Sequence, residues 1–443
     1  MKVKKDKVKI ITLGCSKNLV DSEFIMAQIR SNDIEIVETE DKASTVIINT
    51  CGFIESAKQE SINTILRAVE RKKLGLLKNI YVAGCLSDRY MSELQKEIPE
   101  VDEFFGATDK IQTVTGILNA LGLDYKSELL GERELLTPKH FAYLKISEGC
   151  DNPCSFCAIP IMRGGHKSKP LEQILKEART LARSGVKELI IIGQDTTYWG
   201  FDKVTNSYLN GNARGRNLSM LINELSDIEG IEWIRIMYAY PSRFPMDVIN
   251  SIKEHDNVCK YIDIPIQHIS DKMLKLMRRG ISQKKLIDLL EKIRSDVPGI
   301  AMRTTLIVGH PGETEKDFYQ LLNFVKMFKF NRLGVFTYSH EEGTHAYSMK
   351  DNVPKKEKLL RQKLLLEAQR EISLHYNSGQ IGKTIKVIID RKENDYYIGR
   401  TEHDAPEIDQ EVSVRSKRNL NVGEFYQVKI YDCEEFDLFG IGK

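Results

Sequence analysis

The chain has 443 residues, 41% hydrophobic and 29% charged, with eight cysteines and a formal net charge of +2. No apolar run nears the length of a membrane span, and the near-neutral charge argues against a wholesale polyanion binder. A chain this long divides into two to four domains, and eight cysteines without a secretory leader point to a reduced, cytoplasmic protein whose thiols serve metals or catalysis.

The basic start MKVKKDKVKIITLGC leads into a first strand. VKIITLG, STVIINT and NIYVAGC then alternate with the amphipathic stretches DSEFIMAQIRS, SAKQESINTILRAVERKK and RYMSELQKEIP. Strand, loop and helix in repetition predict a parallel sheet with helices on its faces, a Rossmann- or flavodoxin-like α/β domain over residues 1–133. The polar stretch DYKSELLGERELLTP closes it as a linker.

The middle segment, 136–372, repeats the alternation. FAYLKISEGC, ELIIIGQD, WIRIMYAYP, YIDIPIQH, AMRTTLIVGHPGE and RLGVFTYSHEEG are strand candidates with helices between them. Six such units predict an open, partial (β/α)6 barrel. A charged helix, VPKKEKLLRQKLLLEAQREISLHYNSG, bridges to residues 376–443, whose short alternating strands and Gly, Asn and Asp turns predict a small antiparallel β-barrel of about five strands.

Charge is partitioned among these segments. Lys+Arg against Asp+Glu is 19 to 22 over residues 1–135, 36 to 28 over 136–378 and 10 to 13 over 379–443. The mildly acidic tail suits a basic protein partner better than an RNA backbone.

In EGCDNPCSFCAIP, Cys150, Cys154 and Cys157 stand in a C-x3-C-x2-C loop after the first barrel strand. Three thiolates at this spacing can converge on one small object at the barrel mouth. A four-iron cluster held by three cysteines keeps one iron open for an exchangeable ligand. Three unrelated thiols, or a zinc site completed by a distant fourth ligand, remain alternatives at this point. Cys15 in TLGCSKN, Cys51 in INTCGF and Cys85 in VAGCLS each follow a strand candidate, and adjacent strand ends of a parallel sheet bring such residues together. Buried apolar thiols are the alternative there. Cys259 and Cys433 read as structural. Gln194, Asp195, Gln267, His268 and Glu313 end barrel strands, where a cofactor's polar groups would be met, and Gly193 and Gly309 allow close backbone approach.

EGCDNPCSFCAIP, with its aromatic Phe156, resembles the cluster loop of radical S-adenosylmethionine (SAM) enzymes. LGCSKNLVDSE, INTCGFIESAKQESI, GCLSDRY, DIPIQH, FTYSHEEGT and DAPEID narrow the resemblance to the methylthiotransferases of the RimO branch. Two departures are Gln410, where Gly commonly follows DAPEID, and RGGHKSKP, which has fewer arginines than usual. The resemblance implies a radical SAM core followed by a TRAM module. It also implies two [4Fe-4S] clusters, one on Cys150, Cys154 and Cys157 and one on Cys15, Cys51 and Cys85. S-adenosyl-L-methionine would bind at the open iron of the first, with Phe156, Gln194, Asp195, Gln267 and Glu313 as cofactor-contacting candidates. The implied reaction adds a methylthio group to the β-carbon of an aspartate in the twelfth protein of the small ribosomal subunit. It implies no catalytic side chain beyond the cluster ligands, no membrane, a monomer, and electron and sulfur donors of unstated identity. An unactivated C–H bond offers no acidic proton to a side-chain base, which is why a cofactor must carry the chemistry. Two rival functions are a tRNA adenosine methylthiotransferase, MiaB-like, and a non-catalytic iron-sulfur protein that binds ribosomes.

Overall fold

The computed structural model describes residues 6–129, 131–202 and 217–442; residues 1–5 of the basic lead lie outside it. The first unit is a parallel five-stranded sheet of order β2-β1-β3-β4-β5, formed by β1 (Lys7–Thr12), β2 (Glu35–Ile36), β3 (Thr45–Thr50), β4 (Asn79–Gly84) and β5 (Glu103–Phe104). β3 is buried at every position, as a central strand covered on both faces requires. α1 (Ser16–Ser31), α2 (Glu55–Lys73), α3 (Cys85–Glu97) and α4 (Lys110–Ala120) cover it. The two-residue strands β2 and β5, absent from the sequence reading, extend the sheet at both edges.

The segment expected to be a linker is built into the junction. The guanidinium of Arg133 is buried beside Glu23 of α1 and Glu177, 3.2 Å from each carboxylate. The Leu136 amide donates to Glu23 at 2.8 Å.

The second unit is a parallel six-stranded sheet in chain order: β6 (Phe141–Lys145), β9 (Glu188–Ile192), β10 (Trp233–Ile236), β11 (Val258–Asp263), β12 (Ala301–Val308) and β13 (Arg332–Thr337). β6 and β13 are its edges, so it is an open, partial barrel. A short antiparallel ribbon of β7 (Ser147–Glu148) and β8 (Lys167–Ser168) brackets α5 (Ile159–Arg163). Outer helices α6 (Leu171–Arg183), α7 (Leu218–Ser226), α8 (Asp247–Glu254), α9 (Asp271–Leu276), α10 (Gln283–Asp296) and α11 (Glu315–Phe328) bury their apolar faces against the sheet in one continuous core. α11 opens with a reciprocal capping box between Thr314 and Asp317.

The long helix α12 (Lys355–Ser378) leads to a closed barrel of β14 (Thr384–Glu393), β15 (Tyr396–Arg400), β16 (Glu411–Arg415), β17 (Phe425–Cys433) and β18 (Asp437–Gly442). Its pairings are antiparallel except β16 with β18, which run parallel.

The inner face of the partial barrel is a second apolar core shared by all three units. Phe141, Tyr143, Ile190, Ile192, Trp233, Met237, Cys259 and Tyr261 line it, joined by Val20 of α1 and by Ile388 and Ala405 of the tail. The tail sits at the amino ends of the barrel strands: Phe425 packs on Trp233, Asp390 hydrogen-bonds His140, and Glu424 pairs with Lys187. α1 sits at the carboxyl ends, where Asp21 pairs with Lys145. The buried Cys259 has the structural place expected of it. Gln410, buried at the entry to β16, follows a loop whose Asp404 and Asp409 pair with Arg332 and Arg303.

Candidate iron-sulfur and cofactor site

Cys15 caps α1, Cys51 follows β3 and Cys85 opens α3, so three adjacent strand ends deliver three thiols to one sheet edge. Gly14, at φ +89°, is what permits this. A Cβ there would stand 2.7 Å from the Cys51 Cβ and 2.9 Å from its sulfur. Asn18 ties the strand ends together: its amide donates to the carbonyls of Leu13 and Thr50, each at 2.9 Å. Its carbonyl oxygen accepts from Arg163 and lies 3.8 Å from the Cys85 thiol. The Ser61 hydroxyl accepts from the Cys51 amide at 3.0 Å and donates to its carbonyl at 2.9 Å.

The second triad lies in the loop after β7. Gly149, at φ +72°, has no room for a Cβ, which would be driven into the Gly164 and Gly165 carbonyls. The Cys150 amide donates to the Gly164 carbonyl at 3.1 Å. Asn152 donates to the Cys150 sulfur at 3.3 Å and to Asp195 at 2.7 Å, which joins the loop to the end of β9. Arg279 donates to the Cys154 sulfur at 3.1 Å, and the Tyr240 hydroxyl stands 3.6 Å from it. The Ile159 amide donates to the Cys157 sulfur at 3.5 Å.

Burial pushes the Cys150 thiol up to about 11 and the Cys85 thiol up to about 12, the latter against the pull of Arg163. Burial likewise raises Cys51 and Cys157. Like charge from other thiols of the same triad adds to the rise at Cys51, Cys85, Cys150 and Cys157. Among the described residues no three His, Cys, Asp or Glu side chains converge closely enough for a single metal ion. Mutual electrostatic reach at a wider spacing fits the footprint of a multi-iron cluster, whose positive irons would favour the thiolates that burial disfavours.

The two triads are neighbours. Ala158 and Met162 of the cluster loop and α5 pack against Cys85. Arg163, 4% exposed, ends α5 and donates to the Cys85 sulfur at 3.2 Å and to Asp21 at 2.7 Å. It also reaches Glu148 at 3.3 Å, and Lys145 pairs with both of these carboxylates.

The polar candidates are distributed around the mouth of the barrel. Gln194 donates to Glu148 at 2.7 Å, leaving its carbonyl oxygen buried without a partner among the described residues. Gln267, at φ +70°, has the same kind of orphaned buried oxygen. Two unmet acceptors suit a ligand rich in N–H and O–H donors, as the ammonium, ribose and adenine of SAM are. Asp195 is occupied by Asn152 and by the Thr197 amide and hydroxyl. Phe156 packs edge-on to His310, whose ring nitrogen meets the Ser155 hydroxyl at 3.0 Å. Glu313 is set deeper, against His268 at 3.2 Å, Arg361 at 2.8 Å and the Gly309 amide, so its carboxylate shapes the Gly309 turn. The sequence reading missed Asn18, Asn152, Arg163, Tyr240 and Arg279. Of these, only Asn152, inside the cysteine loop, carried a local signal.

Comparison with known proteins agrees with this architecture. Residues 7–106 match the uncharacterized protein family UPF0004, residues 144–325 the radical SAM superfamily and residues 381–441 the TRAM domain. A solved structure, the radical S-adenosylmethionine methyltransferase TsrM from Kitasatospora setae with tryptophan substrate and a SAM analog bound, shares the fold at a TM-score of 0.53 and 12% identity. That match covers 75% of this chain and 73% of that one. The ribosomal protein uS12 methylthiotransferase RimO of Cytophaga hutchinsonii is 55% identical over 98% of both chains. That of Christiangramia forsetii is 52% identical over 99% of this chain and 94% of its own. With such identity along its whole length, and with the three matched domains in this order, the chain belongs to the RimO family of ribosomal protein uS12 methylthiotransferases.

Proposed function

We propose that this enzyme adds a methylthio group to the β-carbon of an aspartate in uS12. The observation that carries this reading is the pair of three-thiol sites, joined by a single short helix at the mouth of one barrel. Cys150, Cys154 and Cys157 would hold the cluster that binds SAM, and Cys15, Cys51 and Cys85 the cluster that presents sulfur. Bound there, the two clusters with SAM supply a hydrogen-abstracting radical and a methylated sulfur.

The protein's own residues position and tune. Asn152 and Arg279 hydrogen-bond sulfurs of the first triad and Arg163 a sulfur of the second, which is how a protein sets a cluster's potential. Gln194 and Gln267 offer their free oxygens to the cofactor's donors, Phe156 walls the loop, and Asp195 holds Asn152 in place. Glu313 acts by fixing the Gly309 turn. The apolar lining from Tyr143 to Met237 keeps water from the reacting space. Both sites are built from one chain, which supports a working monomer, and a ribosomal substrate supports a cytoplasmic location. The domain limits 1–133, 136–372 and 376–443 are part of the same reading. The acidic tail favours a basic protein over tRNA as substrate.

Two variants test the division of labour. Cys154→Ala should halve the iron of the reconstituted protein and abolish release of 5'-deoxyadenosine from SAM. Cys51→Ala should also halve the iron, keep SAM cleavage and lose methylthio transfer to uS12 by mass spectrometry. Wild-type transfer to tRNA alone would refute the reading.

A further inference from the structure

Lys17 is 7% exposed, and among the described residues its ammonium makes no hydrogen bond and no ion pair. It lies over the face of Tyr238, 3.0 Å from the ring centre. Three other cations of this junction have partners: Lys145 and Arg163 share Asp21 and Glu148, and Arg279 has the Cys154 sulfur and the Pro265 carbonyl. An ammonium with no anion beside it is free to pair with one, and a cation–π contact meets only part of that capacity. Its complement is an anion that arrives from outside.

The surroundings agree. Lys17 is the second residue of α1, whose cap position, Cys15, offers no side-chain acceptor to the first amides, so the positive end of the helix adds to the lysine's field. Tyr238 holds a left-handed φ of +59°, a strained conformation for a residue with a side chain. Its amide donates to Asp263 at 3.1 Å, and its carbonyl accepts from the Thr196 amide at 3.2 Å and from the Thr196 hydroxyl. Thr196 adjoins Asp195, which Asn152 ties to Cys150. Lys17 itself is two residues from Cys15. Lys17 thus connects the helix that Cys15 caps with Tyr238, from which Thr196, Asp195 and Asn152 lead to Cys150.

We infer that Lys17 binds the carboxylate of the target aspartate and so holds its β-carbon between the two triads. This rests on the reading given under Proposed function. The geometry is economical because the carboxyl carbon is bonded directly to the β-carbon, so gripping one places the other. It also makes Lys17 a specificity residue, since a nucleobase brings no carboxylate to meet it.

The test is a double-mutant cycle with reconstituted holoenzyme. Purified uS12, and uS12 carrying asparagine at the modified position, are titrated against wild type and Lys17→Met, which keeps the apolar stem. Loss of the charged contact should weaken uS12 binding about ten- to a hundredfold. Asparagine-bearing uS12 should bind wild type and variant alike, while iron content, melting temperature and SAM affinity stay at wild-type values. Lys17→Arg, which retains the charge, should recover most of the affinity. Lys17→Gln replaces Lys17→Met if the latter melts early. Undiminished uS12 binding, equal losses for both uS12 forms, or a loss confined to SAM overturns the assignment of Lys17. Failure of the wild type to modify uS12 refutes instead the function on which it rests.

Discussion

At the residue scale, Arg163 shows how much one buried side chain coordinates. Its guanidinium meets the Cys85 thiol, Asn18 and two carboxylates, and its positive charge opposes the effect of burial on Cys85. Arg163→Met leaves Lys145 as the one ion-pair partner of Asp21 and Glu148 among the described residues, and removing one partner from a buried ion network costs about 3–5 kcal/mol. Chemical denaturation should show that loss. An EPR-monitored redox titration should show the potential of the Cys15, Cys51 and Cys85 cluster falling as its sulfur loses a hydrogen bond. That the six cysteines gather in two groups was legible in the sequence, because three share one loop and three share one strand-end position. Arg163 and Arg279 were not, because they lie 78 and 125 residues from the sulfurs they serve, and no local pattern marks an arginine for so distant a partner.

At the scale of elements, the strands that bury both faces announced themselves as apolar β-branched runs. β2 and β5, two residues each, are too short to carry any period, and β7 and β8 form only because the cluster loop folds back on itself. The parallel pairing of β16 with β18 escaped the reading because strand order within a small barrel leaves little trace in strand composition. Two substitutions separate loop from helix. Gly149→Ala combines a left-handed backbone, costing roughly 1–2 kcal/mol for a residue with a Cβ, with a collision against two carbonyls. It should lower the iron held by the Cys150, Cys154 and Cys157 loop. Thr314→Ala removes the cap of α11 and should cost about 1 kcal/mol in denaturation while leaving iron content unchanged.

At the scale of the whole molecule, the first unit and the tail grip the partial barrel from opposite ends, and much of the grip on the tail is ionic. Glu188, fully buried at the start of β9, pairs with Arg235 at 2.8 Å and with Arg400 of β15 at 2.9 Å. Burial alone would raise its carboxyl, but Arg400 and Arg235 hold it below the ordinary value of 4.5. The unfolded chain therefore takes up this proton first on acidification. The stabilisation is present above pH 4.5 and is lost as pH falls below it. Glu188→Gln should be about 3–5 kcal/mol less stable than wild type at pH 7, and the gap should close as urea melts are repeated toward pH 3. The three-unit layout was legible from periodicity and charge. The sharing of one inner core was not, because Val20 and Ala405 look like ordinary apolar residues of their own units.

The five residues of α5 have a consequence of their own. Cys157 lies just before the helix and Arg163 closes it, so the interval from one thiol triad to the arginine that serves the other is counted in whole residues. Adding or removing one turns everything beyond it by about 100° and shifts it by about 1.5 Å. That would swing Arg163 away from Cys85 while leaving the cysteine loop intact. Side chains along this segment can change identity, but its length cannot drift by a single step, so register rather than composition sets the spacing of the two centres.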